Sequence, residues 1–570
     1  MPTERPRPSA PHRGREGTQV TKKPTPKRPR TAATRKAPAY ALTHSPWSVV
    51  VAACTGAAAV FFLLGYCGVL PILVAPALAG VFVALLSGDA VSAGTAGAVG
   101  GTVGGVAAAI GYSNGAINAS FAAAPAYANP DVLSRQLYGG IVTSLLQGNP
   151  ITSGSPGGGA TVLVVGLLTA LIAAGSAYGL NALGSRRELG QQIAGWIAVV
   201  ALALVFLATG WNNASDFRDS LATPVPAGTY AYDAFIYQGA YQAMLHGKSY
   251  YQGFLEAASG DSRLIEAHDV RNGKFYGFVS SPTLMREPWS FYLWRVVAPG
   301  GSQGVFLTAL IAAAGVLLVT HWGLQPISRA ASLLGPVLVY PILLLSCSWM
   351  NIFFPDLWAG LAMLASLALL ARRNLPAALG FALAAALFRE TLIFWLLALL
   401  VYAILRARSA PSGKRDAVFA LSAVGIFAAL YAVHYVQASQ LIAPDINGGT
   451  GGFVDRLLIS SKASLEGKFL APTSYMMWPY GFFRLPGAAL AVLGVFGFST
   501  LHRRNRAFTW MAAGYGAFWL VYYATVGAAS SYWGQQVMPF YLLGVAFLVA
   551  ALGKLDRKAA DAPVAPPQRR

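Results

Sequence analysis

Apolar runs close to the length needed to cross a bilayer recur along this chain, and they restrict its fold more than any motif does. A helix rises about 1.5 Å per residue, so about 20 apolar residues traverse a hydrocarbon core of about 30 Å. The runs fall near 49–70, 71–87, 91–112, 161–183, 193–210, 305–320, 331–349, 357–370, 375–388, 391–405, 417–435, 486–500, 507–526 and 537–552. Of the 570 residues, 55% are hydrophobic and only 11% are charged, against about 25% charged in soluble domains. A soluble chain of this size has no interior large enough for so much apolar surface, whereas a membrane protein has lipid as its solvent. The expected fold is an all-α polytopic membrane protein of about 14 transmembrane helices.

Charge supplies a second, independent signal. The net charge of +20 is not spread as a nucleic-acid surface would be. Part of it lies in a Pro-, Thr- and Ala-rich tail (1–46) carrying Arg5, Arg7, Arg13, Arg15, Lys22, Lys23, Lys27, Arg28, Arg30, Arg35 and Lys36. That composition predicts a disordered cytoplasmic tail touching anionic headgroups, not a nucleic-acid partner and not a cleaved leader. With the tail inside, the loops carrying Arg186/Arg187, Arg372/Arg373, Arg406–Arg415 and Arg503–Arg506 all fall inside, as does the 554–570 tail. Three long polar loops, 113–159, 211–303 and 436–485, all fall outside, with the sequons at Asn118 and Asn213 among them. Cationic loops favour the cytoplasmic side, so run length and charge side agree on a plasma-membrane protein with both termini cytoplasmic.

Within 91–112, Gly97, Gly101 and Gly105 recur at a spacing of four, as do Gly100 and Gly104. Small residues at that spacing share a helix face and allow close packing. Cys54, Cys67 and Cys347 sit in or beside apolar runs with no zinc or redox spacing. The histidines are scattered, and neither a P-loop nor a dinucleotide fingerprint is present, which argues against a nucleotide-driven pump.

The outer loop 211–303 is too long and too aromatic for a connector. Its stretch "YDAFIYQGAYQAMLHGKSYY" (232–251) has an acid, an aromatic interfacial helix and then a Gly–Tyr turn. In this the chain resembles the GT-C glycosyltransferases, membrane enzymes that use polyprenyl-phosphate sugars. "SPTLMREPWSFYLWRVV" (281–297) is similar to the family's proline-containing approach to the next span. "FPDLWAGLAMLASLALLARRN" (354–374) and "LGFALAAALFRETLIFWLLALLVY" (379–402) resemble its mid-chain helices. The resemblance covers roughly 193–552. It departs at "SYWGQQVMP" (531–539), where Gln535 and Gln536 stand in place of an arginine that many relatives carry. It implies a GT-C-like catalytic core (191–553) with outer-face interfacial helices; the four spans before it lie outside the resemblance and read as a separate four-helix N-terminal module (47–190).

The resemblance further implies transfer of a sugar from a polyprenyl-phosphate donor to a glycan, lipid or protein acceptor at the outer face. Such a reaction needs a base for the acceptor proton and groups that stabilise the leaving phosphate. A single carboxylate suffices for an inverting displacement, unlike the pair usual in glycoside hydrolysis. Asp233 is the candidate base, although an aspartate there also suits a helix N-cap. Asp216 and Asp219 are fallback acids. Arg389 and Glu390, charges lodged between apolar runs, are candidates to bind and orient the donor phosphate, or else form a structural pair at a helix break. Arg286 and Glu287, before Pro288, are candidates for the same task. Tyr237, His246, Lys248 and Asp356 complete the candidate substrate-binding set. No cofactor is required by the residues, but some relatives bind a divalent cation through acidic residues. The competing readings are a transporter or lipid flippase, which would favour broken helices at the midplane in matching halves, and a non-catalytic scaffold.

Overall fold

The computed structural model describes residues 41–42, 46–66, 71–87, 89–113, 158–184, 188–212, 232–259, 268–271, 274–277, 285–298, 300–347, 349–408, 411–441, 484–501, 505–525, 533–553 and 556–557. Most of the N-terminal tail, nearly all of the C-terminal tail, most of the three long loops, Asp216 and Asp219 lie outside the described residues.

Each of the apolar runs forms a helix. The first five are α1 (Pro46–Tyr66), α2 (Pro71–Leu86), α3 (Ala90–Ser113), α4 (Gly158–Gly184) and α5 (Glu188–Asn212). Segment 211–303 contributes three shorter helices, α6 (Tyr232–Leu245), α7 (Tyr250–Ser259) and α8 (Trp289–Val297). The remaining nine are α9 (Ser302–Leu324), α10 (Arg329–Ser346), α11 (Pro355–Ala371), α12 (Leu375–Phe388), α13 (Ile393–Ala407), α14 (Pro411–Leu441), α15 (Arg484–Ser499), α16 (Arg506–Thr525) and α17 (Gly534–Leu552). Four stretches, Ser302–Leu324, Glu390–Ala407, Gly413–Leu441 and Gly534–Leu552, are long and apolar enough to cross a membrane. The described residues are overwhelmingly helical, as an all-α chain requires, with two short strand pairs beside the helices. Strands β2 (His268–Arg271) and β3 (Lys274–Gly277) form an antiparallel hairpin within segment 211–303. Strand β1 (Ala41–Leu42) pairs with β4 (Asp556–Arg557), linking the segments that flank α1 and α17.

The helices turn outward what soluble proteins hide. Leu171 is 70% exposed, Ile197 63% and Val418 62%. Such faces suit lipid, and there helix association rests on close packing rather than on expulsion of water. The glycine ladder of α3 shows how. One face, with Gly97 and Gly101, lies against α4, and the other, with Gly100 and Gly104, lies against α1. A Cβ at Gly101 would stand 2.5 Å from the Thr169 carbonyl oxygen, and one at Gly100 would stand 2.6 Å from that of Ala53. The closeness lets the Thr169 hydroxyl donate to the Gly101 carbonyl at 2.8 Å. Asn181 of α4 likewise donates to the carbonyls of Ala84 and Ser87, tying α4 to α2.

In the second half of the chain, α11 and α12 form a tight antiparallel pair. The chain reverses at Arg373, whose φ of 62° provides the left-handed helix stop. Asn374 then caps α12 by accepting from the Ala377 amide. Helix α17 packs against α10, α11 and α15. Gly360 of α11 makes one of these contacts possible, because a Cβ there would be 2.5 Å from the Gln535 carbonyl oxygen.

Gly101→Leu is expected to lower the melting temperature by forcing α3 from α4, at a cost of about 1–3 kcal/mol. Gly175→Leu, where a Cβ would meet nothing within 4 Å, is expected to be silent. Equal melting curves for the two variants would contradict this packing.

Candidate functional site

Five segments far apart in sequence bring their polar ends together at one end of the helical bundle. They are the C-terminal end of α12 with the start of α13, the first turn of α11, the first turn of α17, the loop before α8, and α6. Each of the first three is a helix terminus, where backbone groups lack intrahelical partners and charge is tolerated best.

Arg389 stands at the break between α12 and α13, in extended conformation, followed by a 3₁₀ turn over Glu390–Leu392. Its side chain is fully enclosed. Nε donates to Asp356 Oδ1 at 3.1 Å, Nη1 donates to Glu390 Oε1 at 2.9 Å, and the guanidinium lies 5.0 Å from the Trp533 ring centroid. Asp356 occupies the first turn of α11 behind Pro355 and is also fully buried. Its Oδ1 takes a second bond from Gln536 Nε2 at 3.1 Å, while the Gln536 side-chain oxygen Oε1 accepts from the Thr391 hydroxyl. Oδ2 of Asp356 has no hydrogen-bond partner among the described residues. Buried charges are costly unless paired and hydrogen-bonded, and here each guanidinium is answered by a carboxylate.

Arg286 closes the network from the other side. Its Nε donates to the Tyr237 hydroxyl of α6 at 3.1 Å, and Nη1 lies 3.5 Å from Glu390 Oε1. The loop that carries it is pinned on both flanks. Tyr250 donates its hydroxyl to the Arg286 carbonyl, and burial, reinforced by the neighbouring tyrosines, raises its pKa and keeps that proton in place. His434 of α14 bonds the Met285 carbonyl through Nε2 at 3.1 Å. A carbonyl only accepts, so Nε2 carries the proton, and in the neutral ring Nδ1 accepts from the Tyr251 hydroxyl at 3.0 Å.

Glu287 differs from its neighbours. It is 1% exposed, and neither carboxylate oxygen has a hydrogen-bond partner among the described residues. Burial pushes its carboxyl well above the usual range. The Glu390 charge adds to the shift, and Arg389 and Arg286 oppose it. Two guanidinium groups thus face three carboxyl groups, and the charges balance when Glu287 holds its proton.

Of the residues singled out in the sequence, Tyr237, Arg286, Glu287, Asp356, Arg389 and Glu390 are brought together. Asp233 lies one turn before Tyr237 on α6; its side chain is outside the described ones. His246 and Lys248 sit on the exposed turn after α6, roughly two and a half turns beyond Tyr237, and are not part of the network. His246 contacts the Gln242 carbonyl, and Lys248 pairs with Glu256. Thr391, Trp533, Gln536, His434, Tyr250 and Tyr251 join the network without having been singled out as site residues. Among the described residues, no group of three or more His, Cys, Asp or Glu side chains is placed to hold a metal ion.

An apolar groove of about 530 Å³ runs between α13 and α14, lined by Ile393, Leu397, Phe427, Tyr431, Tyr435 and others. It begins at Ile393, within one helical turn of Glu390. The charged network thus lies within about one helical turn of an open apolar groove. Comparison of the chain with protein-family models, with curated proteins and with solved structures finds no match.

Two outcomes follow from the geometry. Arg389→Met leaves Asp356 and Glu390 without their main cation and is expected to cost about 3–5 kcal/mol, read as a lower melting temperature in detergent. Glu287 has the opposite sign. Between the ordinary carboxylate value and its raised value only the folded state holds the proton, so stability falls as pH rises through that window. Glu287→Gln removes this loss. Melting temperatures from pH 5 to pH 8 are expected to fall for the wild type relative to the variant, and parallel curves would rule the effect out.

Proposed function

We propose that this chain is a multi-pass membrane glycosyltransferase that moves a sugar from a polyprenyl-phosphate donor to a glycan, lipid or protein acceptor at the outer face of the plasma membrane, with inversion. The observation that carries the reading is the pairing of a polar network of arginines and carboxyl groups with an apolar groove that starts one turn away. An amphiphile with a phosphate head and a long hydrocarbon tail matches both parts at once. In this reading the tail lies along α13 and α14. Arg286, at the edge of the network, meets the phosphate, with Arg389 and Glu390 behind it. Asp233, on the helix that delivers Tyr237 to Arg286, takes the acceptor proton.

The outward orientation has two supports. With about fourteen crossings, the loop before α8 and the network ends of α11, α12, α13 and α17 all fall on one side, and their side chains contact one another. The basic clusters around Arg372, Arg406 and Arg506 lie at the opposite helix ends, as expected for the cytoplasmic side. A carrier that moves a lipid or solute is the alternative, since a balanced buried ion network also suits a gate.

The test is turnover by the purified full chain in lipid nanodiscs with a panel of polyprenyl-phosphate sugars. Asp233→Asn is expected to reduce transfer at least about 100-fold while leaving binding of the polyprenyl phosphate, measured by native mass spectrometry, within a few-fold. Undiminished transfer by Asp233→Asn would remove the base assignment. Movement of substrate across vesicles with no transfer would favour the carrier.

A further inference from the structure

A buried acid without partners stands within the network, and the transfer reaction as proposed above leaves it without a task. Glu287 is enclosed, yet neither oxygen is hydrogen-bonded among the described residues, whereas the other two carboxylates of the network, Asp356 and Glu390, both accept from Arg389. Fully buried polar groups are normally satisfied, so a group left open at a candidate site marks a place for something absent. Its position narrows what that is. It follows Arg286, whose guanidinium reaches Glu390 and Tyr237, and its loop is held by Tyr250 and His434. The groups that face it are Arg286 on its own loop, Tyr250 and Tyr251 on α7, and Arg389 and Glu390 at the α12–α13 break; His434 of α14 holds the adjacent carbonyl. The negative charge of Glu390 and the lack of any donor to its own oxygens both favour the protonated form. A neutral carboxyl has one O–H to give, and an anionic oxygen drawn to the neighbouring Arg286 guanidinium would be a fitting acceptor for it.

We infer that the Glu287 carboxyl donates its proton to the departing lipid phosphate as the sugar leaves; this rests on the glycosyltransferase reading above. The bond from the anomeric carbon to the phosphate oxygen breaks, and its electron pair stays on that oxygen. The phosphate takes the Glu287 proton and departs as a monoanion. The acceptor oxygen bonds the anomeric carbon and passes its own proton to Asp233. Glu287 is left ionised and Asp233 protonated, and exchange of one proton with water at each restores both. The departing phosphate never becomes a dianion inside the network. That matters because Arg389 is already answered by Asp356 and Glu390.

The experiment measures kcat against pH for the wild type, Glu287→Gln and Glu287→Asp, with a polyprenyl-phosphate sugar that the wild type turns over. The wild type is expected to lose kcat as pH rises through the Glu287 transition. Glu287→Gln is expected to have kcat lower by about 100-fold or more, KM within about threefold, and no alkaline limb. Glu287→Asp is expected to regain both activity and an alkaline limb, which a purely structural role would not produce. If the wild type transfers sugar but Glu287→Gln keeps the alkaline limb or near-wild-type kcat, the acid role fails and the transferase reading stands. If Glu287→Gln does not fold, Glu287→Asp without an alkaline limb has the same consequence. If the wild type transfers no sugar from any such donor, both fail together.

Discussion

The enclosed guanidinium of Arg389 organises this end of the molecule. It ties the α12–α13 break to the first turn of α11 through Asp356 and to Glu390 in its own turn, and it rests on Trp533 at the head of α17. Such a group is costly to bury, and in many proteins a well-packed apolar replacement is neutral or stabilising. Its presence in a helical interior therefore points to function more than to stability. The carboxylates around it offset most of its charge, which leaves Arg286, the arginine with the looser contact to Glu390, as the group best placed to engage an incoming anion.

The network depends on backbone features that carry no charge. Gly360 lets α17 approach α11 closely enough for Gln536 to reach Asp356. Tyr250 and His434 hold the loop of Arg286 and Glu287 against α7 and α14. Tyr237 reaches the network because its ring packs among Phe254, Phe291 and Phe354, which sets α6 against α7, α8 and the start of α11. Positions of this kind fix a site to within fractions of an ångström, as electrostatic stabilisation of a developing charge requires.

The same bundle end joins two chemistries that rarely meet. Along α13 and α14 the surface is hydrocarbon from Ile393 onward, and one turn earlier it is ionic. A substrate that satisfies both must itself be divided into an ionic head and an apolar tail. The proposed lipid-phosphate donor has that division, with the phosphate between the apolar tail and the sugar it would carry.

Much of this was legible in the sequence, for physical reasons. An apolar run forms a helix because its backbone groups must be satisfied internally when water is absent, so the helices near 305–320, 357–370 and 537–552 follow from composition and length alone. Cationic loops alternate with them by side, and so the sequence already assigned Arg286, Asp356 and Arg389 to one end. The glycine spacing of α3 announced close packing because a missing Cβ is a local fact. What only the tertiary structure decided is which polar groups meet. Asp356 and Arg389 lie 33 positions apart, and Asp356 and Gln536 lie 180 apart. No local pattern encodes a contact across that separation. Lys248, flanked by aromatics and as suggestive in the sequence as Arg286, turns away to pair with Glu256. The hairpin of β2 and β3 was equally invisible, since its strands are four residues each and lack an alternating pattern. Periodicity and charge side act along the chain and can be read there, whereas the pairing of buried charges is set by how the helices pack.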